Sequence, residues 1–322
     1  MVIIIVILLE LSFIMDKTKR GIALFITLLV IASILSIVAV SFSYLEKVQK
    51  DAGKISALVQ GNLLYKNTTQ ILKQFFPKGK ADSKKLEMVY TMPLMLSESK
   101  SGFNIDLKCK PLITGIPIQW LDEKFTKKTP QRLDLAQDTL TKVMQKYEID
   151  EPNRLEELIL MQVSGIVEDN IEYKPRIKPR KGILTKKLFD RVLIDYRLKY
   201  QDENVFKVPW DKYFVFVEVS KKTTIDGAYI TPELISIIFD IPLDSVRDSW
   251  MTKTSLEEDK ITLKKFLSEN SLSDSFDNKL YSIKALNAMH CQERFAYKDR
   301  YYNFSFDYSD ERNKNFEFNG EL

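Results

Sequence analysis

The 322-residue sequence predicts an α+β fold: one long N-terminal helix, then an antiparallel sheet interrupted by a large helical insertion. Three observations predict it. Apolar residues pile up in the first 45 positions. From there to position 76 they recur at spacings of three and four, the period of a helix. The remainder alternates like strands near both of its ends and is helically periodic between them. Apolar residues are 45% of the chain and charged residues 29%, which excludes a disordered chain and a polytopic membrane protein.

The N-terminal helix comes first. Residues 22–45 are 24 positions without one charge. At about 1.5 Å per residue they cross a hydrocarbon core of roughly 30 Å. Lys17, Lys19 and Arg20 precede the run against Asp16, and a mixed set (Glu46, Lys47, Lys50, Asp51, Lys54) follows it. That bias favours the N-terminus inside and the body outside. No small-x-small cleavage site with a polar break follows the run, so it reads as an anchor rather than a signal removed at its end. Leu45, Val48, Ile55, Leu58, Val59, Leu63, Ile71, Leu72, Phe75 and Phe76 carry the helix onward, and Pro77 with Gly79 ends it. Gly53 and Gly61 each weaken it by about 1 kcal/mol relative to Ala. One rod is therefore expected over 22–76. A shorter apolar run over 1–14 is broken by Glu10 and too short to span, and translation is expected to start at Met15.

Past Pro77 the pattern changes. Residues 85–96 and 102–109 alternate as strands, with Pro93 marking an edge or break, so 77–120 is read as the first part of the sheet. The insertion is placed over 121–270. Its helices are 132–147 (Leu133, Leu135, Leu140, Val143 and Met144 on one face), 151–167 (Leu155, Leu158, Ile159, Leu160, Val163, with Pro152 in the first turn) and 184–200 (Leu188, Val192, Leu193, Tyr196). A basic, proline-punctuated linker over 172–182 separates the last two. Residues 213–219 are β-rich. Thr231-Pro232-Glu233 has the residues of a helix start, and 256–269 is a last helix. The second part of the sheet, 271–322, holds aromatic-rich strands over 279–289, 292–297, 300–308 and 315–318. Trp120, Trp210 and Trp250 are assigned to packing.

Composition argues against common catalytic chemistries. Lys and Arg number 48 against 44 acids, a net charge of +4 with no basic patch of the kind that binds nucleic acid. A single histidine excludes a multi-His zinc centre. It leaves His290 as the one residue for His-based catalysis, and on a strand His290 and the adjacent Cys291 point to opposite faces. No G-x-G-x-x-G, phosphate loop or C-x-x-C occurs. No enzymatic activity and no required cofactor are expected.

The start of the helix carries a resemblance. Lys19-Arg20-Gly21 followed at once by Ile22-Ala23-Leu24 and an uncharged run resembles the leader of type IV prepilins, with 15–21 as its short, basic, polar leader. The resemblance implies that a membrane prepilin peptidase cuts between Gly21 and Ile22, on the cytoplasmic side, and methylates the new amine of Ile22. Most of that family carry Glu at the fifth mature position, where this chain has Ile26. This departure, R-G-I-A-L and the large size resemble the large minor pseudopilin of type II secretion, general secretion pathway protein K. Two internal elements are similar to that group by position. Arg132-Leu-Asp-Leu-Ala resembles R-L-N-L-N-A, and residues 225–235 resemble I-N-V-N-T-A-x-x-x-V-L. The group's D-W-[IV]-D is replaced by the sequence over 162–169. The motif resemblance covers the first 60 residues, and architecture carries the rest.

The resemblance implies a single-pass bacterial inner-membrane protein with a cytoplasmic N-terminus and a periplasmic body. Its implied partners are other minor pseudopilins, the major pseudopilin and the prepilin peptidase, with no nucleic acid. The implied role is at the tip of a periplasmic pseudopilus, initiating its assembly. Alternatives are a minor pilin of a type IV pilus or DNA-uptake system, and a single-pass periplasmic enzyme. In an oxidising periplasm Cys109 and Cys291, the only thiols, either pair or stay as two separate thiols. The chain-entropy model puts a bond closing so long a loop at about 4–5 kcal/mol. Calcium binding in the implied group makes Asp307, Asp310 and Glu311 a weak calcium candidate. Neither they nor Asp274 with Asp277 have EF-hand spacing, and solvated turns are the plainer reading.

Overall fold

The structure, a computed structural model, describes residues 21–76, 83–98, 103–165, 185–251, 262–297, 300–309 and 312–321. Met15, the leader before Gly21, Pro77 with Gly79, the 172–182 linker, 166–169 of the replaced motif, Asp310 and Glu311 lie outside the described residues. The chain divides into two units, at Leu63 and Leu64.

The first unit is helical. Helix α1 (Gly21–Phe75) has 55 residues, roughly 80 Å at helical rise. From Phe25 to Val48 its apolar side chains are exposed, among them Leu28, Ile31, Leu35, Val38 and Phe42, and they point to every side. This helix is long and apolar enough to cross a membrane. Its polar groups are met locally. The hydroxyls of Ser33, Ser36 and Ser41 donate to the carbonyls of Leu29, Ala32 and Ile37, four residues back. A hydroxyl satisfied within its own helix suits a medium without water.

The second unit is built on a five-stranded sheet in the order β1-β2-β5-β6-β7. Its strands are β1 (Leu94–Glu98), β2 (Phe103–Pro111), β5 (Ala288–Tyr297), β6 (Arg300–Ser309) and β7 (Arg312–Glu321). The pairs β1–β2, β2–β5 and β5–β6 are antiparallel. Strands β2 and β5 are neighbours in the sheet, and the whole insertion lies between them in the chain. On one face, alternate residues of three strands are buried: Leu107 and Cys109 on β2, Cys291, Glu293 and Phe295 on β5, and Tyr302, Phe304 and Phe306 on β6. The last turns of α1 bury Leu64, Thr68, Leu72 and Phe76, one per turn. Tyr65 of α1 packs edge-on or tilted against Phe304, Phe306 and Phe316 of this sheet.

The insertion has its own core. It holds the two-stranded parallel pair β3 (Ile116–Pro117) and β4 (Phe214–Val215), and helices α3 (Glu123–Thr126), α4 (Pro130–Lys146), α5 (Pro152–Ser164) and α6 (Lys186–Tyr200). Helices α7 (Pro232–Phe239), α8 (Leu243–Met251) and α9 (Leu263–Glu269) follow. Local chemistry sets several ends. Thr185 and Thr231 cap α6 and α7 by accepting from the Leu188 and Leu234 amides. Proline opens α4, α5 and α7, and α5 stops at Gly165, whose φ of 66° is left-handed. Trp120, Trp210 and Trp250 lie in this core.

Four readings are corrected. Residues 85–91 are not strand: α2 (Ser83–Thr91) is a helix, and β1 starts only after Pro93. Apolar residues 86, 88, 89 and 90 fit either period. Burial of Leu86 and Val89, with Met88 exposed, selects the helical one. Residues 279–287 are turns, with one isolated bridge between Ile225 and Tyr281, because Tyr281 and Ala285 turn into the buried interior. Within 213–219, β4 keeps only Phe214–Val215. The buried face of α4 is Arg132, Ala136, Thr139, Leu140, Val143 and Met144, which leaves Leu133 and Leu135 half-buried.

Candidate functional site

The first surface is α1. Gly21 and Ile22, the residues on either side of the expected cleavage position, are both helical. Ile26 lies on the exposed apolar surface and supplies no charge there.

The second feature is the face of the sheet under the end of α1. Cys109 and Cys291 are directly opposite in β2 and β5, 4.1 Å apart at Cα, and are joined as a disulfide 182 residues apart in sequence. The bond ties together the two strands that flank the insertion. Two residues along β5, on the same face, is Glu293, fully buried. The Thr68 hydroxyl of α1 donates to its Oε2 at 2.7 Å, while Oε1 has no hydrogen-bond partner among the described residues. Burial pushes the Glu293 carboxyl up to about 7, and the Thr68 hydrogen bond opposes that shift only in part.

The acidic residues weighed as weak calcium candidates, and the second acidic cluster, divide. Asp307 is occupied: the ring N–H of His290 donates from Nδ1 to Oδ1 at 2.7 Å, and Asn315 donates to Oδ2 at 2.8 Å. His290 and Asp307 are directly opposite across β5 and β6. His290 thus takes part in a cross-strand contact on the face opposite the Cys291 bond. Asp310 and Glu311 lie outside the described residues. Asp277 accepts from the Lys279 amide at 2.8 Å, closing a turn. Among the described residues no three His, Cys, Asp or Glu side chains are grouped to hold a metal.

Reading residues by chemistry alone missed two junction points, although both fall in the segments quoted for their resemblance. Buried Arg132 donates from Nη1 to the Lys221 carbonyl at 2.7 Å. From Nε and Nη2 it donates to the Lys279 carbonyl at 3.2 and 3.0 Å. Its guanidinium lies 4.8 Å from the Trp120 ring centroid. Buried Asp226 accepts from the Ala228 and Leu286 amides, both at 2.9 Å, and its own amide donates to the Ile113 carbonyl. At Gly227 a Cβ would stand 2.1 Å from the Ser282 carbonyl oxygen, a backbone approach that only glycine allows. Asp226 and Gly227 therefore join the chain leaving β2, the chain returning to β5 and the start of α9, where the Leu263 amide donates to the Gly227 carbonyl.

Comparison with known proteins places this geometry. No family model matches the sequence, and no curated protein does. Among solved structures, a chain of the GspK-GspI-GspJ complex of the type 2 secretion system of enterotoxigenic Escherichia coli is similar over 82% of this chain and 97% of its own. The TM-score is 0.52 and the sequence identity 9%. A similarity at that identity is one of fold: a long helix, an antiparallel sheet and further helices. The chain thus has the fold found in a chain of a type II secretion pseudopilin complex.

Proposed function

We propose that the chain is a minor pseudopilin that sits at the tip of a periplasmic pseudopilus and initiates its assembly for type II protein secretion. The observation that carries this reading is the combination in one chain of a helix whose first half is apolar all round and a sheet split by a helical insertion, in a fold similar to a chain of the GspK-GspI-GspJ complex. In this reading the peptidase removes the leader after Gly21, the amine of Ile22 is methylated, and α1 serves first as membrane anchor and then as packing element against smaller pseudopilins and the major pseudopilin. The body works in the periplasm, and the activity is assembly rather than chemistry.

Ile26 supports the tip position. In a filament an acidic side chain at the fifth mature position pairs with the N-terminal amine of the subunit above. Ile26 cannot do that, so this subunit has no need of a neighbour above it. The bulk of the insertion works against stacking from that side as well.

Expression of the full chain with and without a prepilin peptidase tests the reading. The expected result is a smaller product beginning with N-methylated Ile22 only when the peptidase is present, and its loss in Gly21→Val. An unchanged mass would favour a plain single-pass anchor. Ile26→Glu is expected to be processed normally and to alter the tip position.

A further inference from the structure

Glu293 is a carboxyl group in a place that packing alone would give to an apolar residue. Its cross-strand neighbours on the same face are Leu107 of β2 and Phe304 of β6. On β2, Asp106 and Lys108 alternate to the other face. On β6, Asn303 and Ser305 do the same. From α1 the facing groups are Tyr65, Thr68 and Leu72, while Lys66 and Lys73 are exposed to solvent. From β7, Phe316 packs on Tyr65 and Phe304, and Asn313 hydrogen-bonds Thr69. On α2, Lys85 lies over the Phe75 ring, Lys84 is exposed and Glu87 interacts with Tyr229. Tyr65, the other titratable group facing this layer, is itself raised by burial. The one partner given to the carboxyl is therefore a neutral hydroxyl, and among the described residues no cation offsets its burial.

We propose that Glu293 is a proton-operated latch between the sheet and residues 64–76 of α1: neutral, it seals that stretch of helix down, and ionised, it loosens it. The physical reason is the cost of an unpaired carboxylate in an apolar layer, which is relieved when the helix lifts and water reaches Oε1. The proton released on ionisation goes to solvent. While the helix is seated, Thr68 donates to Oε2 whether the carboxyl is neutral or ionised; lifting the helix gives up that bond, and the charge is what drives it.

Hydrogen exchange of the full chain in detergent micelles at pH 5.5 and 8.5, expressed as protection factors over 64–76, tests the latch. Protection in the unaltered chain is expected to fall about thirtyfold at the higher pH. Glu293→Gln is expected to hold the same protection at both. Thr68→Val removes the hydrogen bond that favours the charged form, so the midpoint of the loss should move to higher pH. Equal protection at both pH values in the unaltered chain, the same loss in Glu293→Gln, or an unmoved midpoint in Thr68→Val would overturn the proposal. If Glu293→Gln does not fold, the infrared carbonyl band of a protonated carboxyl in the unaltered chain decides. It should disappear with the midpoint of the exchange transition, and its absence at pH 5.5 would sink the idea.

Discussion

At Glu293 a single buried carboxyl contributes a pH dependence of definite sign. Its folded value of about 7 lies above the ordinary 4.5 of an unfolded glutamate, so between these the folded state holds the extra proton. Stability from this group is full below about pH 4.5 and is lost as pH rises through about 7. The loss is about 3 kcal/mol, readable as a falling urea midpoint across that window. Arg132 acts at the same scale by holding two carbonyls from distant loops. Arg132→Met removes the guanidinium from over the Trp120 ring and leaves the Lys221 and Lys279 carbonyls without their donor. It is expected to lower stability by about 2–4 kcal/mol in thermal or urea unfolding. Lys, with one point charge and no fork, should restore only part of this.

Among the elements, α1 changes its surroundings along its length. Its first half has no buried side and its last three turns have one, with Leu64, Thr68, Leu72 and Phe76 turned to the sheet. A charge placed in the first half should therefore act on membrane insertion and leave the body intact. Leu35→Arg is expected to disfavour insertion by about 2.5–3.5 kcal/mol, seen as a shift from the membrane to the soluble fraction or as degradation. The contrast between α2 and β1 is instructive at this scale too. Residues 86–90 satisfy both a helical and a strand period, so the choice fell to what lay nearby. The helix buries Leu86 and Val89 and leaves Met88 out, and Pro93 prevents it from continuing.

For the molecule as a whole, the decisive feature is that β2 and β5 are adjacent although the insertion separates them. A loop of this length has a large closure entropy, and the Cys109–Cys291 bond removes much of it from the unfolded chain. Cys109→Ser with Cys291→Ser is expected to lower stability by about 2–4 kcal/mol. The unaltered chain should show the matching change on reduction, together with a shift in non-reducing electrophoresis. The insertion carries its own core around Trp120, Trp210 and Trp250. The double variant should therefore loosen the sheet first, and exchange of β2 and β5 amides reads this out.

Local pattern determined what local physics controls. An uncharged run of 24 residues reads as a helix of membrane length, and the structure has a helix there long and apolar enough to cross one. Helices with proline starts and threonine caps, and the strands β5 and β6, were legible for the same reason: their signals lie within a few residues. Tertiary structure alone decided which residues meet across long separations. Glu293 looked like one polar position in an alternating strand until Thr68, 225 residues earlier, closed over it. Asp307 is one acidic position near a chain turn until the fold sets His290 and Asn315 against its two oxygens. The segment 279–287 read as a strand by composition, yet its neighbours Asp226, Gly227 and Arg132 hold it as turns. Periodicity reports which side of an element is buried; it carries no information about what buries it.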